Sequence, residues 1–583
     1  MKAETMNHSV TLLTALLLAA SVALHASQDA IAAQPAPAAV DFDLQGFVDG
    51  RLKSGERRVV VPPGRYRVTP KNGVHLRLKD LSDVELIADG VEIVCASTTR
   101  VVVFENCRNV RFQGMTVDFD PLPFTQGRIV ALAPDKKWVE FEIIKGYPEN
   151  ELQERIEIFD PATGELRRET AGWEKQIESL GHHRYRATKP AWYRYREDWD
   201  TERVGDILVT NNCFPSRATG HAFCAENCTQ LKIADVTLYA ASTFGFVEHR
   251  CDGSTYRRCK IGRRSPENDP VQRAVPRMRS LNADAFHSTE ASRGPAIIGC
   301  AAKYQGDDCV NIHGTYHLVT ACEDRQLRMA VLHRMAIEPG DPVEFLPFTG
   351  PRPADAVAVK IEPDGPITEA EKEFVGKLSL HAPHKERLLG GEAKFFKLTL
   401  DRAVPLAMGS AVCSGRRVGN GFLVKDCDFG HNRSRGILIK ASRGQVIGNR
   451  ISHGWMAAVL VAPEFWWLEA ASSSDVEIRE NVIVGCRRPA IEIIAPGGNG
   501  KPLPSGAHRN LVIAGNQITD SAWPNIYVTS TEHLVVEDNR LTPAEPREFV
   551  PPLARPWNWN TNARAAIVTE LCERAVIQSS PTP

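Results

Sequence analysis

The sequence predicts an all-β protein, a right-handed parallel β-helix (solenoid) carrying two inserted small β-barrel-like domains. Three observations lead there. A composite frame, made of a short β-branched strand, a polar or glycine turn holding Asn, and a second apolar strand, recurs around Asn449, Asn481, Asn516 and Asn539. The intervals of 32, 35 and 23 residues suit one coil plus loops of different length. Earlier copies of the frame at 110–117 and 231–238 each follow a Glu-Asn-Cys triplet, at 105–107 and 226–228. Finally, two charged, turn-rich stretches interrupt this rhythm, and structureless loops of that length are uncommon in compact domains. A β-sandwich is the competing fold, but sandwich strands do not repeat a composite frame.

Taken in chain order, residues 1–32 read as an export signal. Lys2 precedes an apolar stretch from Val10 to Leu24, with small residues around Ala30-Ile31-Ala32. An Ala/Pro linker follows at 33–40, so a periplasmic or secreted destination is expected, with no membrane insertion of the mature chain. Residues 41–121 form the first coils, 122–204 the first β-rich insert, and 205–315 the coils that carry the acidic motif. The second β-rich insert spans 316–415, beginning just after that motif. Residues 416–545 are the C-terminal coils, and 546–583 read as a tail.

The chain has 583 residues, 43% of them hydrophobic, and a formal net charge of −1. So neutral a chain has no global field to recruit nucleic acid or anionic membrane, and a neutral ligand is expected. A solenoid grows in one dimension, so the length does not require several separate cores. Its flanks and inserts offer surfaces for a homodimer. The fourteen cysteines lack zinc spacing and the pattern of a small disulfide framework. Cys228 and Cys251 are 23 residues apart, one coil, and the set reads best as inward-stacked small hydrophobes.

The chemistry lies in two runs, Asn282-Ala283-Asp284-Ala285-Phe286-His287 and Gln305-Gly306-Asp307-Asp308-Cys309. Asp307 and Asp308 follow Asp284 by 23 and 24 residues. Coils stack about 4.8 Å apart, so residues one coil apart lie above one another. Three carboxylates then crowd one patch, and like charges held that close oppose joint ionisation, keeping one protonated beside an ionised neighbour. Sequential residues in a strand face opposite sides, so Asp307 and Asp308 need a bend to converge. A turn motif or a Ca²⁺ site is the alternative for these acids. His287 and His313 are placed to bind sugar hydroxyls or orient a carboxylate. Arg433 and Arg435 can bind hydroxyls or carboxylates, or form ion pairs. Trp466 and Trp467, with Trp455, can offer a platform for a sugar face or pack in the core, and Glu469 follows them as a hydroxyl-binding or catalytic-support acid.

These motifs resemble glycoside hydrolase family 110, the exo-acting α-1,3-galactosidases. The resemblance rests on Asp284-Ala285-Phe286-His287, the Asp pair one coil later, Asn311-Ile312-His313-Gly314-Thr315-Tyr316, the run from Asn432 to Leu438, and Phe465-Trp466-Trp467-Leu468-Glu469. It runs from about residue 40 to 545. It implies release of terminal α-1,3-linked galactose from a glycan with inversion, no metal or other cofactor, and an acidic catalytic cluster at Asp284, Asp307 and Asp308. Lys440 and the stretch 495–506, which has neither aromatic nor acid, depart from the family pattern. A family 28 polygalacturonase-like hydrolase acting on uronides is a second reading, supported by Asn282-Ala283-Asp284 and Asp307-Asp308-Cys309. A non-catalytic carbohydrate-binding or adhesion solenoid is a third.

Overall fold

The structure, a computed structural model, describes residues 38–149, 152, 155–168, 177–189, 202–211, 220–271, 273–542 and 565–578. The export signal and most of the linker lie outside the described residues. The fold is a right-handed parallel β-helix. Its walls are a 22-stranded and a 12-stranded sheet, within which the solenoid strands pair in parallel. Right-handed crossover is the hand that twisted parallel strands prefer. At the N-terminal end a helix, Leu44–Lys53, closes the first coil; Asp43 caps it by accepting from the Gly46 N–H, and Leu44 and Val48 are buried.

Five consecutive rungs of the shorter sheet position the site: β1 (Phe246–His249), β2 (Phe286–Thr289), β3 (Val310–Thr315), β4 (Ile437–Ile439) and β5 (Val459–Val461). Phe246, Phe286, Val310, Ile437 and Val459 are in register and fill the interior. Phe246 and Phe286 stack with ring centroids 5.0 Å apart. Every described cysteine is a free thiol, and most are buried.

The first insert is a seven-stranded antiparallel sheet around its own core of Ile129, Val139, Phe141, Ile156, Ile158 and Leu208. It extends past residue 204, because Ile207–Asn211 pairs back onto Thr125–Leu132. The second insert closes as a six-stranded barrel from His317–Glu323 to Ala411–Ser414. Between barrel strands it also carries two short helices, Glu369–Lys377 and Ala382–Leu389, the first started by a Thr368–Glu371 capping box. The stretch read as a tail contributes another rung: Ile567–Glu570 pairs in parallel with Ile526–Thr529. No helix among the described residues is long and apolar enough to cross a membrane.

Candidate functional site

Asp284 stands two residues before β2, Asp308 two before β3 and Arg435 two before β4. They therefore occupy one position on three successive coils. Backbone bonds hold the rungs together: the Ala285 N–H donates to Asp308 O (2.9 Å) and the Cys309 N–H to Arg435 O (3.1 Å). Asp307 and Asp308 lie in the bend that leads into β3, so both side chains reach the same patch. Gly306 is required there, since a Cβ would sit 2.7 Å from Asn282 O of the preceding coil. Oxygens of Asp284, Asp307 and Asp308 gather within 4.8 Å of one another.

Each aspartate has a distinct environment. Asp284 Oδ2 is 2.7 Å from His287 Nδ1, and its Oδ1 accepts from the Asp308 N–H at 3.3 Å. Asp308 accepts from the Arg435 N–H at 2.8 Å and pairs with the Arg435 guanidinium at 3.1 Å. Asp307, whose side chain is 22% exposed, pairs with Arg433 at 2.7 Å. Arg433 also donates to Gly306 O at 2.6 Å and lies 3.4 Å from Glu157 of the first insert, which in turn pairs with the fully buried Arg279.

From Asp308 a ring of polar contacts, alternating in charge as far as Glu469, leads away and returns. Arg435 faces Glu464 at 3.3 Å, Glu464 faces Lys440 at 3.2 Å, and Lys440 faces Glu469 at 2.8 Å. Glu469 Oε1 is 3.9 Å from His313 Nε2, which is 3.0 Å from His287 Nε2, and His287 meets Asp284. Lys440 is 0% exposed, and Asn311 bridges it to Glu469. Antiparallel pairing of Glu469–Ala470 with the end of β3 brings Glu469 into place.

The charge balance explains the titration. Arg433 faces Asp307, while Arg435 and Lys440 face Glu464 and Glu469, so Asp284 and Asp308 share little positive charge beyond Arg435. Burial raises Asp284, partly offset by the His287 hydrogen bond, with Asp307 adding to the rise. Burial also pushes Asp308 well above the usual carboxylate range, against the pull of Arg435. His313 and Lys440 hold Glu469 well below that range despite its burial. Burial takes His313 down to about 4.

The structure thus gathers Asp284, Asp307, Asp308, His287, His313, Arg433, Arg435 and Glu469 into one cluster. Trp466 and Trp467 occupy the short turn preceding Glu469; Trp467 is exposed and packs on His381, ring centroids 3.9 Å apart. Trp455 is no platform: it is buried and donates from Nε1 to Leu166 O at 3.2 Å. Sequence reasoning did not anticipate Glu157 and Glu464, named Asn311 only as part of a motif, and noted Lys440 only as a departure. Lys440 and Glu464 are 24 residues apart, but the coil interval there is 22, since Ile437 pairs with Val459, so spacing alone does not bring them together. Three carboxylates so close could gather a divalent cation, but Arg433, Arg435 and His287 already engage their oxygens.

No family model matches the chain. Curated relatives do. Over 553 residues it is 23% identical to α-1,3-galactosidase B of Akkermansia muciniphila, a match covering 85% of this chain and 63% of that protein. The chain thus spans less than two thirds of that relative. This chain is similar to the α-1,3-galactosidases. It is also 20% identical over 590 residues to α-1,3-galactosidase A of Bacteroides fragilis (92% of this chain, 88% of that protein). With α-1,3-galactosidase B of Phocaeicola vulgatus it shares 23% identity over 559 residues (85% and 87%). Among solved structures, a mannuronan C-5 epimerase A-module of Azotobacter vinelandii matches with TM-score 0.39 and 11% identity, covering 93% of this chain and 97% of that one. The family 28 exopolygalacturonase of Yersinia enterocolitica matches with TM-score 0.36 and 9% identity, covering 93% and 77%.

Proposed function

We propose that this chain is an exo-acting glycoside hydrolase that releases terminal α-1,3-linked galactose from glycans, with inversion at the anomeric carbon. The observation that carries the reading is the stacking of Asp284 and Asp308 on adjacent rungs, beside Asp307, with too little positive charge to keep all three ionised. Such a cluster holds a proton for the leaving glycosidic oxygen and a carboxylate to take one from water. The glycosidic C–O bond breaks as the water oxygen bonds to the anomeric carbon. One proton goes to the leaving oxygen from a carboxylic acid, and another goes from water to a carboxylate. The galactosidase names of the relatives support galactose as the sugar and α-1,3 as the linkage.

The oxygens within 4.8 Å are closer than the roughly 6.5–9.5 Å that inverting enzymes keep between their two carboxyl groups. Inversion therefore requires the aspartates to part around the sugar, or the ionised Glu469 to serve as the base. Time-resolved NMR on the disaccharide Galα1-3Gal, run beside Asp308→Asn, tests the reading. β-Galactose should appear first and be absent with the variant. α-Galactose appearing first would overturn inversion. No release from folded protein would overturn the galactosidase reading and turn attention to a uronide substrate or a binding solenoid.

A further inference from the structure

The two histidines of the cluster fix each other's protons. His313 Nδ1 lies 2.7 Å from Gly314 O. A carbonyl only accepts, so Nδ1 carries hydrogen. With burial holding this imidazole neutral near pH 7, its Nε2 bears a lone pair. His287 Nε2 is 3.0 Å away, and two lone pairs at that distance would repel, so His287 Nε2 carries hydrogen and donates. Thr289 Oγ1, 3.2 Å from His313 Nε2, sits beside the same contact. His287 Nδ1 is then left facing Asp284 Oδ2 at 2.7 Å. Phe244 stacks on the His287 ring at 4.5 Å and 16°, and His221 stacks on Phe244 at 4.9 Å and 13°. The imidazole plane is therefore held, not free to turn toward a ligand.

We propose that His287 and His313 are positioning residues, a one-way hydrogen-bond relay in which His287 donates to His313 and His313 to the Gly314 carbonyl, and which leaves a single mobile proton between His287 Nδ1 and Asp284 Oδ2. With the proton on Oδ2, acid and imidazole are both neutral. With the proton on Nδ1, a carboxylate faces an imidazolium. The O–H bond breaks as the N–H bond forms, and nothing else changes, so Asp284 passes between acid and base without altering the net charge of the buried ring. The charged and titratable groups facing the relay are Asp284, His221 across Phe244, Glu469, and Lys440 behind Glu469, with Asp307, Asp308 and Arg435 on the Asp284 side. Of the two roles the sequence suggests for these histidines, the assignment takes the orienting of a carboxylate over the binding of sugar hydroxyls, and its catalytic meaning rests on the hydrolase reading.

Neutron diffraction from deuterium-exchanged crystals at pH 7 tests the relay without catalysis. Deuterium is expected on His313 Nδ1 and His287 Nε2; deuterium on His313 Nε2 overturns it. Kinetics supply the second arm. His313→Gln keeps an acceptor oxygen near the Nε2 position, and His313→Leu does not. A relay predicts that His313→Leu lowers kcat about 100-fold, within the range of general acid–base effects, and shifts the pH profile. It also predicts a KM within threefold of wild type and recovery of most of kcat in His313→Gln. A KM raised tenfold in both variants with kcat kept would mean sugar ligands and overturn the proposal. If the leucine variant does not fold, the glutamine variant and the neutron map still decide. Correct tautomers in a chain that releases no galactose would refute the galactosidase reading and leave the relay standing.

Discussion

A single carboxyl can carry opposite consequences for function and for stability, and Asp308 is the case here. Its folded-state pKa is raised by burial, so between the unfolded carboxyl value near 3.9 and that raised value the folded protein binds the extra proton. Stability therefore falls as pH rises through this window, the reverse of the usual carboxylate, whose lowered folded-state pKa makes stability fall as pH falls. Asp308→Asn mimics the protonated side chain and keeps an oxygen for the Arg435 N–H. We expect kcat to drop at least about 1,000-fold while the melting temperature at pH 8 exceeds wild type by a few degrees. That gain should shrink toward pH 4. A variant less stable than wild type at pH 8 would show that Arg435 already compensates the Asp308 charge. Chelation tests the same residues differently. Because Arg433, Arg435 and His287 engage the aspartate oxygens, excess EDTA should leave the hydrolysis rate within twofold. A loss restored by Ca²⁺ would identify a cation among them.

At the scale of the element, the repeating turn explains both why the solenoid is legible in the sequence and what holds it together. Lys260, Ala301, Asp428 and Arg450 are in register, so Cys259, Cys300, Cys427 and Asn449 form one column along the coils. Asn481, Asn516 and Asn539 continue it. Each Asn side chain accepts from the preceding one and donates to the next: Asn449 Nδ2 to Asn481 Oδ1 and Asn481 Nδ2 to Asn516 Oδ1, both 2.9 Å. Asn481 Oδ1 also accepts from the Asn449 N–H, and Asn481 Nδ2 donates to Val446 O. Asn481→Ala leaves these buried partners unsatisfied, so a loss of about 2–4 kcal/mol is expected in denaturant unfolding, with kcat at 25 °C unchanged. A loss under 0.5 kcal/mol would mean that the column is ornament rather than support. The acidic motif was legible for the same reason, since no insert separates Asp284 from Asp308. Arg435 stands on the next rung but follows Asp308 by 127 residues, with the barrel between them, and spacing could not reveal that contact. The last rung at Ile567–Glu570 escaped notice likewise, because the chain leaves the coil rhythm after Leu541. Lys440 and Glu464 were hidden by a different cause: charged residues are seldom buried, and only the closed ring makes burial tolerable for them.

Across the whole molecule, the arrangement of charge separates a neutral substrate from an anionic one. The formal net charge is −1, so no long-range field draws a polyanion toward the chain. Within the site, Arg433, Arg435 and Lys440 each face an Asp or Glu side chain, so a uronate carboxylate would have to displace a protein carboxylate. Both facts predict weak dependence on ionic strength. The Debye length falls from about 30 Å at 0.01 M to about 10 Å at 0.1 M and about 3 Å at 1 M, which extinguishes steering between charges at a distance but leaves buried pairs nearly untouched. For Galα1-3Gal, kcat/KM should therefore change less than twofold between 10 mM and 500 mM NaCl. Polygalacturonate at the same concentration should neither be cleaved nor inhibit. Should kcat/KM instead collapse tenfold with salt, or should the polyuronide compete, the site would have to expose a cation that its own acids do not hold, and the neutral-galactoside reading would fail with it.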